Sequence, residues 1–261
     1  MLEIKDLTIQ YGDKPPVVEN FSLSLKKGEI ITIVGESGSG KSTVLSSILG
    51  LLPNGGKIIS GDIIYNGNSM LSKSLNQWRE LRGTEITMIS QDSGGTLNPI
   101  RKIGKQFVEY IQTHSKMSVK EAEEKAKDMF SKVNLPDPEI IMKSYPHQLS
   151  GGMKQRVGIA MALTFHPKII LADEPTSALD VITQAQIVKE IMDLRKKFDT
   201  SIIMVTHNLG VAAYISDKII VMQNGKIVDA GNKNEVIENP KSEYTKKLLE
   251  AVPEIGGERL V

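Results

Sequence analysis

The stretch Gly35-Glu36-Ser37-Gly38-Ser39-Gly40-Lys41-Ser42-Thr43 constrains this chain more than any other. It follows a short apolar run, Ile30-Ile31-Thr32-Ile33-Val34, and precedes a helix-compatible run from Val44 to Leu52. Strand, glycine-rich loop and helix in that order are the context a phosphate-binding loop needs. Gly38 and Gly40 let the backbone curl so that successive N–H groups point inward, a nest for an anion. The start of the helix adds unpaired N–H donors and partial positive charge at the same spot. Lys41 then reaches the β- and γ-phosphates as a point charge, and the Ser42 hydroxyl is placed to coordinate Mg²⁺. The bland alternative is an ordinary glycine turn carrying a surface lysine. At average composition the Gly-x-x-x-x-Gly-Lys-Ser/Thr pattern arises by chance in roughly one chain in a hundred of this length. With strand and helix on either side, the segment reads as a nucleotide site.

The 261 residues suffice for one large domain, or a core with a subdomain. A net charge of +1 gives no argument for nucleic acid as a partner. Cysteine is absent, which excludes disulfides, thiolate metal sites and cysteine-held clusters within these residues. No apolar run approaches the roughly 18–20 residues of a membrane span, and Met1-Leu2-Glu3-Ile4-Lys5 is no signal peptide. The expectation is a soluble, cytoplasmic protein that needs something else to hold it at a membrane.

Residues 2–10 alternate, with Leu2, Ile4, Leu7 and Ile9 facing in and Glu3, Lys5, Thr8 and Gln10 facing out. Tyr11 closes this strand; taken alone it is an exposed strand-end tyrosine, though its ring is one that can stack on a base. Val17 to Leu25 alternates again, and Lys57 to Tyr65 is a strand entering the hairpin turn Asn66-Gly67. These strands predict a small antiparallel sheet. Trp78 to Arg82 is helix-compatible, and Ile86 to Ser90 is a buried strand ending at Gln91. Gly94-Gly95 and Asn98-Pro99 then mark a loop, Gly104 to His114 a helix, and Ser118-Val119-Lys120-Glu121 a capping box opening another, stopped by Pro136-Asp137-Pro138. Residues from about 92 to 164 thus form a helical subdomain inserted in a core of about 2–91 and 165–230. Apolar strands return at Lys168 to Ala172, Ser201 to Val205 and Lys218 to Met222, with a helix over Ile182 to Lys197. The fold class is α/β, a mostly parallel sheet covered on both faces. Chemistry in such sheets collects at the carboxyl ends of the strands, where Gly35, Gln91, Asp173 and His207 fall.

Two further constellations carry chemistry. Ile169-Ile170-Leu171-Ala172-Asp173-Glu174 ends a buried strand in two acids. Asp173 suits Mg²⁺, directly or through water, and Glu174 suits a base for water attacking a γ-phosphate. Without the glycine loop the pair would read as surface acids capping a strand. Leu149-Ser150-Gly151-Gly152-Met153-Lys154-Gln155-Arg156 opens a helix, with Ser150 as N-cap and two glycines leaving N–H groups for an anion. Its bland reading is a capped helix start. Two phosphate-binding helix ends for one γ-phosphate suggest a site shared between two copies.

The chain resembles the nucleotide-binding subunit of an ABC transporter over residues 2 to about 252. Leu149 to Gln155 is similar to the family's signature, with Met153 where glutamine is commonest. Gln91 falls at the Q-loop, Ser177-Ala178-Leu179-Asp180 at the D-loop, His207 at the switch histidine and Tyr11 at the aromatic position that stacks on the base. The resemblance implies two subunits closing head to tail, each ATP between one glycine loop and the other subunit's Ser150-Gly151-Gly152. Glu174 would be the base, His207 would contact the γ-phosphate, Gln91 would touch Mg²⁺ and sense the membrane partner, and Asp180 would communicate across the dimer. Gln155 is counted with the nucleotide-binding signature.

Leu97-Asn98-Pro99, Tyr145-Pro146-His147-Gln148, Leu179 to Gln186 and the tail Tyr244-Thr245 to Val252-Pro253 resemble the peptide/nickel importer branch. Ser93-Gly94-Gly95 departs from that branch's Pro-x-x-Ser, and the sequence stops soon after Pro253 without a cysteine-bearing extension, as in nickel and metallophore importers. The branch implies an ATP-hydrolysing importer subunit, peripheral on the cytoplasmic side, paired with a homologous or identical subunit, bound to permease subunits and served indirectly by an extracytoplasmic solute-binding protein. Two alternatives stand: a soluble ABC-type ATPase uncoupled from transport, and a subunit that clamps ATP with little turnover.

Overall fold

The computed structural model describes residues 1–177, 179–252, 254–255 and 258–259. Ala178 of the D-loop, Pro253 of the importer-like tail, and residues 256, 257, 260 and 261 lie outside the described residues. Contacts divide the chain into two units, Met1–Trp78 with Ser201–Val261, and Arg79–Thr200.

The first unit begins with β1 (Leu2–Tyr11), β2 (Val18–Leu25), β3 (Ile30–Val34), α1 (Lys41–Ile48), β4 (Gly56–Tyr65) and β5 (Asn68–Ser69), and α2 (Leu75–Leu81) leads out of it. The strands β2-β1-β4-β5 form the expected antiparallel sheet. Leu2, Ile4, Leu7 and Ile9 are all buried, although two residues rather than one lie between Ile4 and Leu7. A β-bulge absorbs the extra residue: the register slips on both sides of β1, and Asp6 takes a φ of 46°. Opposite it, Gly61 has a φ of 85°, and a Cβ there would lie 2.4 Å from the Lys5 carbonyl oxygen. The bulge turns Thr8, expected outside, into a buried residue whose hydroxyl accepts from the Asn20 N–H at 3.2 Å.

The second unit holds β6 (Ile86–Ile89), α3 (Ser93–Thr96), α4 (Ile103–His114), α5 (Val119–Lys132), α6 (Pro138–Lys143), a 3₁₀ turn over Pro146–Gln148, α7 (Gly151–Leu163), β7 (Ile169–Asp173) and α8 (Val181–Phe198). Between β6 and β7, which pair in parallel, every regular element is a helix, as expected. The capping box is present: Ser118 Oγ accepts from the Glu121 N–H, and the Glu121 carboxylate accepts from the Ser118 N–H at 2.8 Å. The loop expected at Gly94-Gly95 is instead the short helix α3, because the Asp92 carboxylate accepts the Gly95 N–H at 2.9 Å and caps it. Pro138 opens α6 rather than only ending α5, since a helix's first position needs no N–H.

The chain then returns to the first unit as β8 (Ser201–Thr206), α9 (Leu209–Ile215), β9 (Lys218–Gln223), β10 (Lys226–Asn232), α10 (Lys233–Glu238) and α11 (Glu243–Glu250), with β11 (Glu254–Ile255) and β12 (Glu258–Arg259) pairing at the end. β8 and β9 flank β3 in parallel, and β10 joins β9 antiparallel. All five residues of β3 are buried, as a strand covered on both faces must be. α9 and α11 pack Leu209, Ala212, Tyr244 and Leu249 with Val34, Ile219 and Val221 into one apolar cluster.

Two outcomes follow from this packing. Gly61→Ala adds a Cβ against backbone at a positive φ, and chemical denaturation should show a loss of about 2–3 kcal/mol. In the second unit, burial lowers the pKa of His114 and, with Lys125 and Lys132 nearby, that of His166. Histidines depressed on folding bind fewer protons folded than unfolded, so their contribution is intact above about pH 7 and is lost as pH falls below about 6.5. Denaturation midpoints between pH 7.5 and 5.5 should decline, and His114→Gln with His166→Asn should flatten that slope.

Candidate active site

In the first unit the loop after β3 ends in Gly40, whose φ of 97° starts α1 without a side-chain cap. A Cβ on Gly40 would lie 2.8 Å from the Val17 carbonyl oxygen, and one on Gly225 would lie 2.5 Å from the same atom. The Gly225 N–H donates to the Ser39 carbonyl at 3.2 Å, so the turn between β9 and β10 holds the loop from outside. Lys41 is only 4% exposed, and its Nζ donates to the carbonyls of Gly35 at 2.8 Å and Glu36 at 2.7 Å. The ammonium is therefore fixed at the centre of the loop. Ser42 is exposed and Thr43 half-buried at the start of α1.

Val34 pairs with Thr206, so Gly35 and His207 leave β3 and β8 side by side. Thr206 is buried and its hydroxyl accepts the Asn208 N–H at 3.1 Å; Asn208 caps α9 by accepting from Gly210 and Val211. The exposed His207 is thus held between two anchored neighbours. Tyr11 ends β1 opposite Gly56, and its half-buried ring lies over that glycine, where a Cβ would meet Cε1 at 2.6 Å.

In the second unit Ile89 pairs with Ala172, so Gln91 and Glu174 each lie two residues past that pair on neighbouring paths. Gln91 is exposed; Asp173 and Glu174 are half-buried. Glu174 has a φ of 42°, the one glutamate among the described residues outside glycine with positive φ, a list otherwise made of Asn, Asp and His166. A left-handed backbone at a glutamate is strained and persists only where its surroundings hold it. The Ser177 N–H and hydroxyl both donate to the Glu174 carbonyl, at 3.2 Å each, and stabilise the turn.

Ser150 caps α7, its Oγ accepting from the Met153 N–H at 3.3 Å, and Ser150 and Gly151 are exposed. Gly151 faces Leu179 and Gly152 faces Thr183, with added Cβ atoms 3.5 and 3.0 Å from those side chains. Asp180 caps α8, accepting from the Thr183 N–H at 3.0 Å and hydroxyl at 2.7 Å. Gln155, grouped with the signature in the sequence, is buried in α7 and its amide nitrogen has no hydrogen-bond partner. Arg156 ties α7 to α8, with Nε 3.2 and 3.1 Å from the Glu190 carboxylate oxygens and Nη2 2.9 Å from one of them. This fork was not anticipated, since the two residues lie 34 positions apart.

The glycine loop fits a triphosphate on its own evidence. Ser39 Oγ is buried inside it without a hydrogen-bond partner, a donor that a phosphate oxygen would satisfy. Among the described residues no group of three His, Cys, Asp or Glu converges on a metal position. Ser42 and Asp173 offer hard oxygen donors, the kind Mg²⁺ takes in small number beside phosphates and water. No described helix is long and apolar enough to cross a membrane.

The family model for ABC transporters matches residues 18–177. The oligopeptide transport ATP-binding protein OppD of Bacillus subtilis (strain 168) is 44% identical over 257 residues, 97% of this chain and 72% of that protein. The metal-staphylopine import system ATP-binding protein CntD of Staphylococcus aureus (strain NCTC 8325 / PS 47) is 42% identical over 252 residues, 95% of this chain and 92% of its own. Among solved structures, a dimeric ATP-binding cassette in a post-hydrolysis state with ADP and Pi superposes with a TM-score of 0.77 at 29% identity, covering 89% of this chain and 99% of that one. CbiO1 of Clostridium perfringens, part of an ABC transporter complex, gives 0.79 at 27% identity, covering 91% and 90%. The chain belongs to the ABC transporter family and is one of its ATP-binding, ATP-hydrolysing subunits.

Proposed function

We propose that this subunit powers import of a peptide or a nickel-type metal complex, working on the cytoplasmic face of a membrane beneath permease subunits and beside a second, homologous or identical, ATP-binding subunit. Support for the solute class comes from the two relatives, an oligopeptide transport protein and a metal-staphylopine import protein. The permease and an external binding protein select the solute; this chain supplies the work.

One observation carries the proposed mechanism. The chain has its own phosphate loop, yet it also presents the glycine-flanked helix start at Ser150 and Gly151 to solvent. N–H groups at a helix N-terminus attract phosphate oxygens, so the second copy of this end completes the first copy's site. Lys41 and the loop amides hold the β- and γ-phosphates, Tyr11 stacks on the base, and the partner's Ser150-Gly151-Gly152 closes over the γ-phosphate. The Ser42 hydroxyl, Gln91 and Asp173 would hold Mg²⁺, which would supply positive charge against the charge developing on the phosphates. Glu174 takes the proton from the attacking water, and His207 steadies the γ-phosphate as it leaves. Asp180 reports the state of one site to the other, and residues after Gln91 pass it to the permease. Core boundaries of about 2–91 and 165–230, with a helical part of about 92–164, belong to the same reading. Closure is favoured while ATP bridges two copies and loses that bias after hydrolysis.

Glu174→Gln should cut steady-state turnover of the assembled transporter by about a hundredfold or more while ATP binding persists; an unchanged rate removes Glu174 as the base. On gel filtration the same variant should dimerise with ATP, and adding Ser150→Asp should return it to monomer. A Ser150→Asp variant that still dimerises would refute the shared site. Purification from membranes should bring down a permease and its solute-binding protein, whose ligand decides between peptide and metal complex.

A further inference from the structure

The peptide group joining Gly35 to Glu36 is gripped at both ends. Its carbonyl accepts from Lys41 Nζ at 2.8 Å, and its N–H donates to the Tyr244 hydroxyl at 2.9 Å. Tyr244 belongs to α11, 208 residues along the chain from Glu36 and well past the last of the nucleotide motifs. Its ring is buried in the cluster that contains Val34, the residue that delivers β3 into the loop. The approach to α11 is itself fixed: the buried Asp229 carboxylate on β10 accepts the N–H groups of Lys241 at 2.8 Å and Ser242 at 3.3 Å, and Ser242 Oγ accepts from the Tyr244 N–H at 3.2 Å.

We propose that Tyr244 is a positioning residue of the phosphate loop, and that α11 is thereby part of the nucleotide site. An N–H already donating to the phenol is turned out of the cradle, and the same peptide plane turns the Gly35 carbonyl inward to Lys41. A hydrogen bond at the N–H polarises the carbonyl of that peptide and strengthens its hold on the ammonium. The loop is then ordered before ATP arrives, and binding does not have to supply that order. This rests on the ATP-binding role of the loop and is independent of which solute is imported.

Tyr244→Phe in the full chain keeps the buried ring and removes only the hydroxyl. Two quantities are read: amide hydrogen exchange at Glu36, with the β3 amides of Ile31 and Ile33 as internal controls, and the dissociation constant for ATP. Loss of one neutral hydrogen bond corresponds to about three- to tenfold, and that is the expected acceleration at Glu36 relative to β3. ATP should bind weaker by a similar factor, about three- to tenfold. Exchange at Glu36 that stays at the wild-type rate overturns the clamp. ATP affinity equal to or tighter than wild type overturns its role in binding, and acceleration spread equally over β3 shows a merely structural residue and overturns it as well. Failure of the wild-type chain to bind ATP would instead remove the nucleotide reading, while the exchange arm, read without ATP, still decides the clamp.

Discussion

The phosphate loop keeps its shape because three backbone segments meet where no side chain fits. The Val17 carbonyl lies under both Gly40 and Gly225, and Gly225 in turn donates to Ser39. A Cβ at either glycine would have to displace backbone, which cannot move without shifting β2 or the turn between β9 and β10. Everything else in the first unit serves this approach: the buried strand β3 aims the loop, β8 and β9 flank it, and the apolar cluster behind Val34 keeps it from receding.

The second unit distributes its chemistry differently. Its acids follow a buried parallel pair, and the second of them, Glu174, takes a positive φ. Strain of this kind costs of order 1–3 kcal/mol and persists only where the surroundings fix it; here two donors from Ser177 lock the turn that follows. Ser150 and Asp180 cap adjoining helices whose starts touch through glycines.

Local grammar made much of this legible. The strand, loop and helix around Lys41, the capping box at Ser118, the turn at Asn66-Gly67 and the acids after Ala172 all depend on neighbours within a few positions, and each is where the sequence puts it. The bulge at Asp6 was hidden because alternation with one added residue still leaves four apolar side chains to bury. α3 was hidden because two glycines argue for a loop until Asp92 is seen accepting from one of them. β10 and the three helices after β8 were not read, and the Tyr244 contact joins residues 208 positions apart, a pairing with no local signal. Side-chain roles at Gln91, Glu174, His207 and Ser150 came from resemblance and chemistry together, and the structure supplies their surroundings.

The Arg156–Glu190 fork gives the second unit a mechanical property. A planar guanidinium held by both carboxylate oxygens resists twisting as well as stretching. It joins α7 to α8 near the middle of each helix. Rotating one helix in this region has to bend the fork, break it, or carry the other helix along.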